Sequence, residues 1–229
     1  MKKLRRILKN MVLFIFPSSS VLMLHKVTVE APEASYNLSQ ANFYKLIDSF
    51  SNWATMDDVV LNKKKGKITL TFDDISEDVF TVAYPYLKKK NIPFTVFITL
   101  DLIDKEGYIT KQQFDELLKD PLVTIGGHCY QHIPLPSQNK KEQEYQLQDS
   151  FDALAGLSGN EIRYFAYPYG QYNDVTLKIL KERKTYSYAF LVGGEFYNIV
   201  MSRRRFELPR MQMGNKTIDT CIDRLKKYV

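Results

Sequence analysis

Two of the three histidines in this chain stand four residues apart in GGHCYQH, as His128 and His132, and two aspartates, Asp73 and Asp74, stand side by side in KITLTFDDISED. Imidazoles at i and i+4 lie on one side of a helical turn, where both can meet a single ion. With a carboxylate from Asp73 or Asp74 they would form a two-histidine, one-carboxylate site with positions left open for water. Adjacent carboxylates at the end of an apolar strand repel each other, and burying them is costly unless a cation or hydrogen-bond donors compensate. Something positive should therefore stand nearby. The pair also suits a plainer role, capping the helix that begins near Glu77, since acidic residues stabilise helix N-termini. The third histidine, His25, follows the apolar run VLML.

The elements that must position these residues alternate along the chain. In the stretch around the aspartates, Ile68, Leu70 and Phe72 fall on one face of a period-two strand, with Thr69, Thr71 and Asp73 on the other. Further strands are expected at residues 21–27, 94–100, 122–125, 162–167, 186–192 and 208–213. Helical patterns lie near 40–50, 77–90, 111–118, 140–154, 173–184 and 217–227, and Thr110 with Gln113 reads as a capping box. Repeated strand-helix units imply an α/β fold, a distorted or incomplete (β/α) barrel of about seven parallel strands. Ligands of such folds sit at the C-terminal ends of the strands, and His25, Asp73, Asp74, His128 and the run PYG at Pro168, Tyr169 and Gly170 all fall there.

At 229 residues, 45% of them hydrophobic, the chain can bury one substantial core. The division expected is a basic N-terminal segment, residues 1–20, followed by a catalytic domain, residues 21–229. The formal charge of +6 is gathered in short clusters such as Lys63-Lys64-Lys65 and Arg203-Arg204-Arg205, without a nucleic-acid-binding motif, so no nucleic-acid partner is expected. Cys129 and Cys221 have neither a metal-type nor a redox spacing. In residues 1–16, Leu4, Ile7, Leu8, Met11, Val12 and Ile15 recur at helical spacing against a basic side. The pattern fits a helix lying on an anionic membrane surface, or one packing on the domain's own core. Its apolar run is too short to span a bilayer.

Taken together the motifs resemble those of the polysaccharide deacetylases, the NodB-like enzymes of carbohydrate esterase family 4. TFDD at Thr71 to Asp74 resembles their first motif, HCYQH their His-x-x-x-His motif, and RYFAYPYG at Arg163 to Gly170 their Arg-x-x-x-x-Pro-x-Gly motif. No histidine follows His132, but VLMLHKV resembles the permuted order of the poly-N-acetylglucosamine deacetylases, in which the late histidine comes first. The resemblance implies a metal held by Asp74, His128 and His132, zinc first and cobalt or nickel next, with Asp73 as general base and His25 as general acid. It further implies that Arg163 orients the base and that Tyr169, after Pro168, offers its backbone N–H to the oxyanion. Cys129 stands where the family usually has Ser or Thr, and the usual Asp-rich motif, which would supply an acidic partner for Arg163 or His25, is not recognisable. The implied substrate is an N-acetylated amino sugar of a bacterial surface polysaccharide, the alternatives being O-acetyl ester hydrolysis or a silent saccharide-binding domain. Stacking faces for sugar rings are expected from Tyr167, Tyr169 and Tyr172. A cytoplasmic location at the inner membrane face is expected, export being the alternative because many such deacetylases act outside the cytoplasm.

Overall fold

The computed structural model describes residues 18–159, 161–183, 185–193 and 204–229, so the expectation for residues 1–16 lies outside the described residues. Seven strands form one parallel sheet: β1 (Ser20–Leu24), β4 (Ile68–Asp73), β5 (Phe94–Ile98), β6 (Val123–Gly127), β7 (Tyr164–Ala166), β8 (Tyr188–Phe190) and β9 (Met211–Gln212). Their spatial order is β8-β7-β6-β5-β4-β1-β9, and a small parallel pair, β2 (Val27–Thr28) with β3 (Leu38–Ser39), stands apart from the sheet. The sheet curls into a distorted barrel closed by a short seam. The Leu208 N–H donates to Ala189 beside β8, and three residues on Met211 pairs with Leu22 of β1. One run of chain therefore touches both edges of the sheet.

Helices α1 (Gln40–Asp48), α3 (Tyr84–Lys90), α4 (Lys111–Lys119), α6 (Ser150–Ser158), α7 (Asp174–Arg183) and α8 (Ile218–Tyr228) follow the strands. A short α5 (Lys140–Glu144) runs into α6 through a wider-wound turn, Tyr145–Asp149. The capping box at the start of α4 forms as the sequence indicates, with the Thr110 side chain on Gln113 N–H and the Gln113 side chain on Thr110 N–H. Helix α2 (Met56–Val60) was not among the expected elements; its five residues are too few to show a period.

The alternation in β4 gives the outer apolar layer one face of the strand and turns Thr69, Thr71 and Asp73 to the barrel interior. Ile68, Leu70 and Phe72 pack outward with Leu46, Phe94, Leu117 and other buried residues under the helices. Inside the barrel Val21, Phe97, Tyr164, Ala166, Phe190 and Leu208 pack with Met56, Val59 and Val60, so α2 plugs the end where the strands begin. Each fully buried Leu, Val or Phe contributes about 1.5–3 kcal/mol relative to exposure. The inner layer supports whatever stands above it, at the strands' C-terminal ends.

Candidate active site

Above the inner apolar layer sits a charged pair. Arg210, in the seam, lies over the Phe97 ring with its guanidinium 5.2 Å from the centroid. It donates from Nη1 to Asp73 Oδ1 and from Nη2 to Asp73 Oδ2, each at 2.6 Å, while Nη1 also reaches Thr71 Oγ1 and Nε donates to the Leu191 carbonyl. The two side chains are 0% and 1% exposed. Burial pushes the Asp73 carboxyl up, but the Arg210 charge, with His128, the Arg210 hydrogen bonds and His25, outweighs it and brings the pKa down to about 2. Asp73 is therefore ionised at any ordinary pH.

This pairing corrects the role read for Arg163. That arginine stands at the start of β7, where the strands begin, and bonds Asp57 of the plug helix at 3.1 Å and Glu161 at 2.6 Å. Its acidic partners are those two residues, and the guanidinium that holds Asp73 belongs to Arg210. The sequence signal was available: an arginine inside the otherwise apolar run LPRMQM, one residue before a strand, needs a buried anion.

Asp74 follows in a turn few L-residues adopt. Asp74 and Ile75 have φ of 63° and 49°, and the Ile75 N–H closes back on the Asp73 carbonyl at 2.7 Å. A β-branched residue at positive φ costs on the order of 1–3 kcal/mol. The loop through Gly107 and Ile109 sustains it, since Glu77 N–H donates to Gly107 and Ile109 N–H to Ile75. The turn directs Asp74 away from Asp73 and toward the histidines.

His128 directly follows β6, its N–H bonded to Ile98 and its carbonyl accepting from Thr99 Oγ1. The two residues before it must be glycine: a Cβ on Gly126 would lie 2.6 Å from the Phe97 ring, and one on Gly127 2.2 Å from the Tyr186 hydroxyl. The helical turn expected for His128 and His132 is not present. Cys129 takes a φ of 70°, which breaks any helix, and the segment continues as a loop toward Pro134. The histidines meet because this loop folds back, held by Gln146, which accepts from Gln131 N–H at 2.8 Å. Cys129 turns into the outer core, where burial raises its thiol pKa well above normal and keeps it an uncharged core residue.

The three groups fit a cation. Asp74 Oδ1 lies 3.5 Å from His128 Nε2 and 3.4 Å from His132 Nε2, and the ligand atoms of all three lie within 4.8 Å of one another. His128 Nδ1 is 2.7 Å from the Ala166 carbonyl, which fixes the ring proton on Nδ1 and leaves a lone pair on Nε2. Burial also lowers the His128 pKa, favouring the neutral ring. Asp74 Oδ1 is buried without a hydrogen-bond partner. Lone pairs pointing at an unpartnered carboxylate oxygen are stabilised by a divalent ion between them.

His25, just beyond β1, lines the same cleft of about 470 Å³, and its Nδ1 is buried without a partner. Burial lowers its pKa, partly opposed by Asp73 and Asp74. Pro168 is buried, and Tyr169 beside it has φ 56°, so its exposed ring stands 4.5 Å from that of His132. Of the other tyrosines expected to stack on sugar, Tyr167 is fully buried, bonded to the Phe206 carbonyl and stacked on Tyr172, whose hydroxyl is bonded to Glu207. Those two pack on each other and neither lines the cleft.

A model of the polysaccharide deacetylase family matches residues 61–188, more than half of the chain, and the chain belongs to that family. It is thereby a hydrolase of carbon–nitrogen bonds other than peptide bonds. The poly-beta-1,6-N-acetyl-D-glucosamine N-deacetylase of Staphylococcus aureus (strain MRSA252) is 26% identical over 212 residues, covering 83% of this chain and 72% of that protein. YxkH of Bacillus subtilis (strain 168) is 29% identical over 111 residues, a match covering 48% of this chain and only 39% of that one. The fold is that of the Streptococcus pyogenes deacetylase PplD, solved in complex with acetate, at a TM-score of 0.79 and 22% identity over 90% of this chain and 98% of that one. It is equally close to IcaB from Ammonifex degensii, at a TM-score of 0.78 and 21% identity over 92% and 97% of the two chains.

Proposed function

We propose that the chain is a metal-dependent N-deacetylase that hydrolyses the acetamido group of an amino sugar in a bacterial surface polysaccharide or its precursor, releasing acetate and leaving a free amine. The observation that carries this reading is the unpartnered Asp74 Oδ1 facing two histidine Nε2 atoms, one residue from an aspartate kept ionised by a buried arginine. A divalent ion held by Asp74, His128 and His132 would polarise the acetyl carbonyl and acidify a water. Zinc is the first choice for two imidazoles and a carboxylate, with cobalt and nickel next. Asp73 accepts the water's proton: Arg210 occupies one lone pair on each of its oxygens and leaves the others open. His25, a readier donor once protonated because its pKa is lowered, gives a proton to the departing nitrogen. Tyr169, placed by Pro168 in a left-handed turn beside His132, offers its backbone N–H to the developing oxyanion.

The test is acetate release from N-acetyl and O-acetyl saccharides by protein stripped with chelator and reloaded with zinc, cobalt or nickel. Metal-dependent release from the N-acetyl set is expected. Release confined to O-acetyl esters would replace the amidase reading with an esterase, and release untouched by chelation would remove the metal from it. His132→Ala should abolish stoichiometric metal uptake in equilibrium dialysis. We further place residues 1–16 on the cytoplasmic face of a membrane, supported by their basic, amphipathic sequence. Flotation with anionic vesicles should be lost on their deletion, and a cleaved N-terminus in protein from its native cell would mean export instead.

A further inference from the structure

The cleft contains a tyrosine to which the deacetylase chemistry assigns nothing. Tyr36 lies on the loop between β2 and β3, and its ring meets that of His25 nearly edge to face, at 5.1 Å and 62°. Tyr169 meets His132 in the same manner at the other side, at 61°. Both rings are open to solvent, Tyr36 at 45% and Tyr169 at 55%, and both line the cleft that holds the two aspartates. Most other tyrosines in the described residues are more deeply packed, and the third exposed one, Tyr145, lines a separate groove.

The sheet order places the pair as walls. His25 and Tyr36 come from the end of β1 and the loop after it, and Tyr169 from the end of β7, with β4, β5 and β6 between them in the curled sheet. Asp73 ends β4, Asp74 follows it and His128 follows β6, so these groups lie along the curled sheet between the elements that carry the two rings, and all of them line one cleft. Each wall is held in place. The Tyr36 loop is pinned on one side by Asn37, whose side chain accepts from Lys26 N–H. On the other side a Cβ on Gly214 would lie 2.4 Å from the Ser35 carbonyl, so the loop packs against bare backbone there. The Tyr169 turn is fixed by Gly170, where a Cβ would lie 2.8 Å from Val192 N.

We propose that Tyr36 and Tyr169 form an aromatic clamp that selects a pyranose ring carrying the acetamido group over an acyclic N-acetyl amine. The inference rests on the deacetylase reading and adds its specificity determinant. A chair-form sugar presents an apolar C–H face to each side, and an exposed aromatic ring gains by covering it. An acetylated lysine chain, narrow and flexible, would leave both rings wet. Tyr36 is a positioning residue: it holds the sugar while the other cleft residues act.

Binding of a β-linked N-acetylglucosamine trisaccharide to metal-stripped protein, read by calorimetry, tests the clamp without turnover. Tyr36→Ala should weaken binding about 3- to 10-fold and Tyr36→Phe should leave it near the parent value, because the ring and not the hydroxyl does the work. In the metal-loaded enzyme Tyr36→Ala should raise KM by a similar factor with a smaller change in kcat, and acetate release from N-acetyl-lysine should not respond. Tyr145→Ala is the control and should alter neither. A Tyr36→Ala variant that binds the trisaccharide like the parent, or a Tyr145→Ala variant that weakens it equally, overturns the clamp while the deacetylase reading stands. If the parent neither binds the trisaccharide nor releases acetate from any saccharide, that reading falls and the clamp with it.

Discussion

Two arginine–carboxylate pairs stand at opposite ends of the same barrel. At the end where the strands finish, Arg210 grips both oxygens of Asp73 with side chains 0% and 1% exposed. At the end where they begin, Arg163 bonds Asp57 with side chains 36% and 41% exposed. The pairs share functional groups, but Arg210 makes two bonds of 2.6 Å where Arg163 makes one of 3.1 Å to Asp57, and they differ in what water does to them. A buried pair whose partner is removed leaves an uncompensated charge and costs about 3–5 kcal/mol, whereas an exposed pair contributes about 0–1 kcal/mol. The barrel thus uses one guanidinium to fix the buried carboxylate of Asp73 and the other to tether a plug.

The difference is sharpest in the carboxylate that the buried pair holds. Asp73→Asn should cut acetate release about 100- to 10,000-fold, the usual cost of losing a general base, while dialysis still finds metal on Asp74, His128 and His132. The variant should also unfold at lower denaturant, since Arg210 then faces a neutral amide with one acceptor oxygen. Loss of metal with loss of activity would make Asp73 a ligand and Asp74 the base. Arg210→Met, which keeps the bulk over Phe97 but strands Asp73 in the interior, should cost about 3–5 kcal/mol in urea unfolding and raise the Asp73 pKa. A loss below 1 kcal/mol would erase the contrast between the two ends.

Acid should separate the pairs next. Asp73 titrates near 2 in the folded protein against about 3.9 in an unfolded chain, so it binds protons more readily when unfolded. Its contribution to stability, on the order of 2–3 kcal/mol, is present above pH 4 and is lost as pH falls through 4 toward 2. The difference between parent and Arg210→Met should therefore narrow over that window. A difference independent of pH down to 2 would mean the pairing contributes nothing through ionisation.

Much of this arrangement was legible in the sequence. Period-two and helical patterns made β4 and the longer helices legible because those are long enough to show a period, whereas β7, β8 and β9, of two or three residues each, were legible only as the ends of longer apolar runs. Adjacent aspartates after a strand demanded a nearby cation, and that demand is met by Arg210. The choice of Arg163 failed because motif spacing says where a residue lies along the chain and not toward which end of a three-residue strand its side chain reaches. Likewise an i, i+4 histidine pair implies a helix only if the residues between allow one, and the left-handed Cys129 does not. Tyr36 carried no signal, since nothing in its neighbours shows that a loop tied to Asn37 and Gly214 will turn its ring beside His25.

The smallest effect expected is at the plug end. Arg163→Met removes one ion-pair partner of Asp57, but Asp57 keeps a 2.5 Å hydrogen bond from the Tyr164 hydroxyl and its place in the first turn of α2, where the helix N-terminus favours an anion. Burial and Asp57 together raise the Tyr164 pKa, so that hydroxyl remains a donor throughout the working range of pH. Glu161, the other partner, is more exposed still and returns to water at little cost. Unfolding should therefore shift by less than about 1 kcal/mol, with kcat, KM and metal content as in the parent. Tyr164→Phe, by contrast, should cost about 1–2 kcal/mol, because it takes from a carboxylate a hydrogen bond that is charge-assisted and partly shielded from water. If Arg163→Met instead lowers kcat as Arg210→Met does, the plug end is coupled to the chemistry through α2 and the inner core, and the two pairs act as one system.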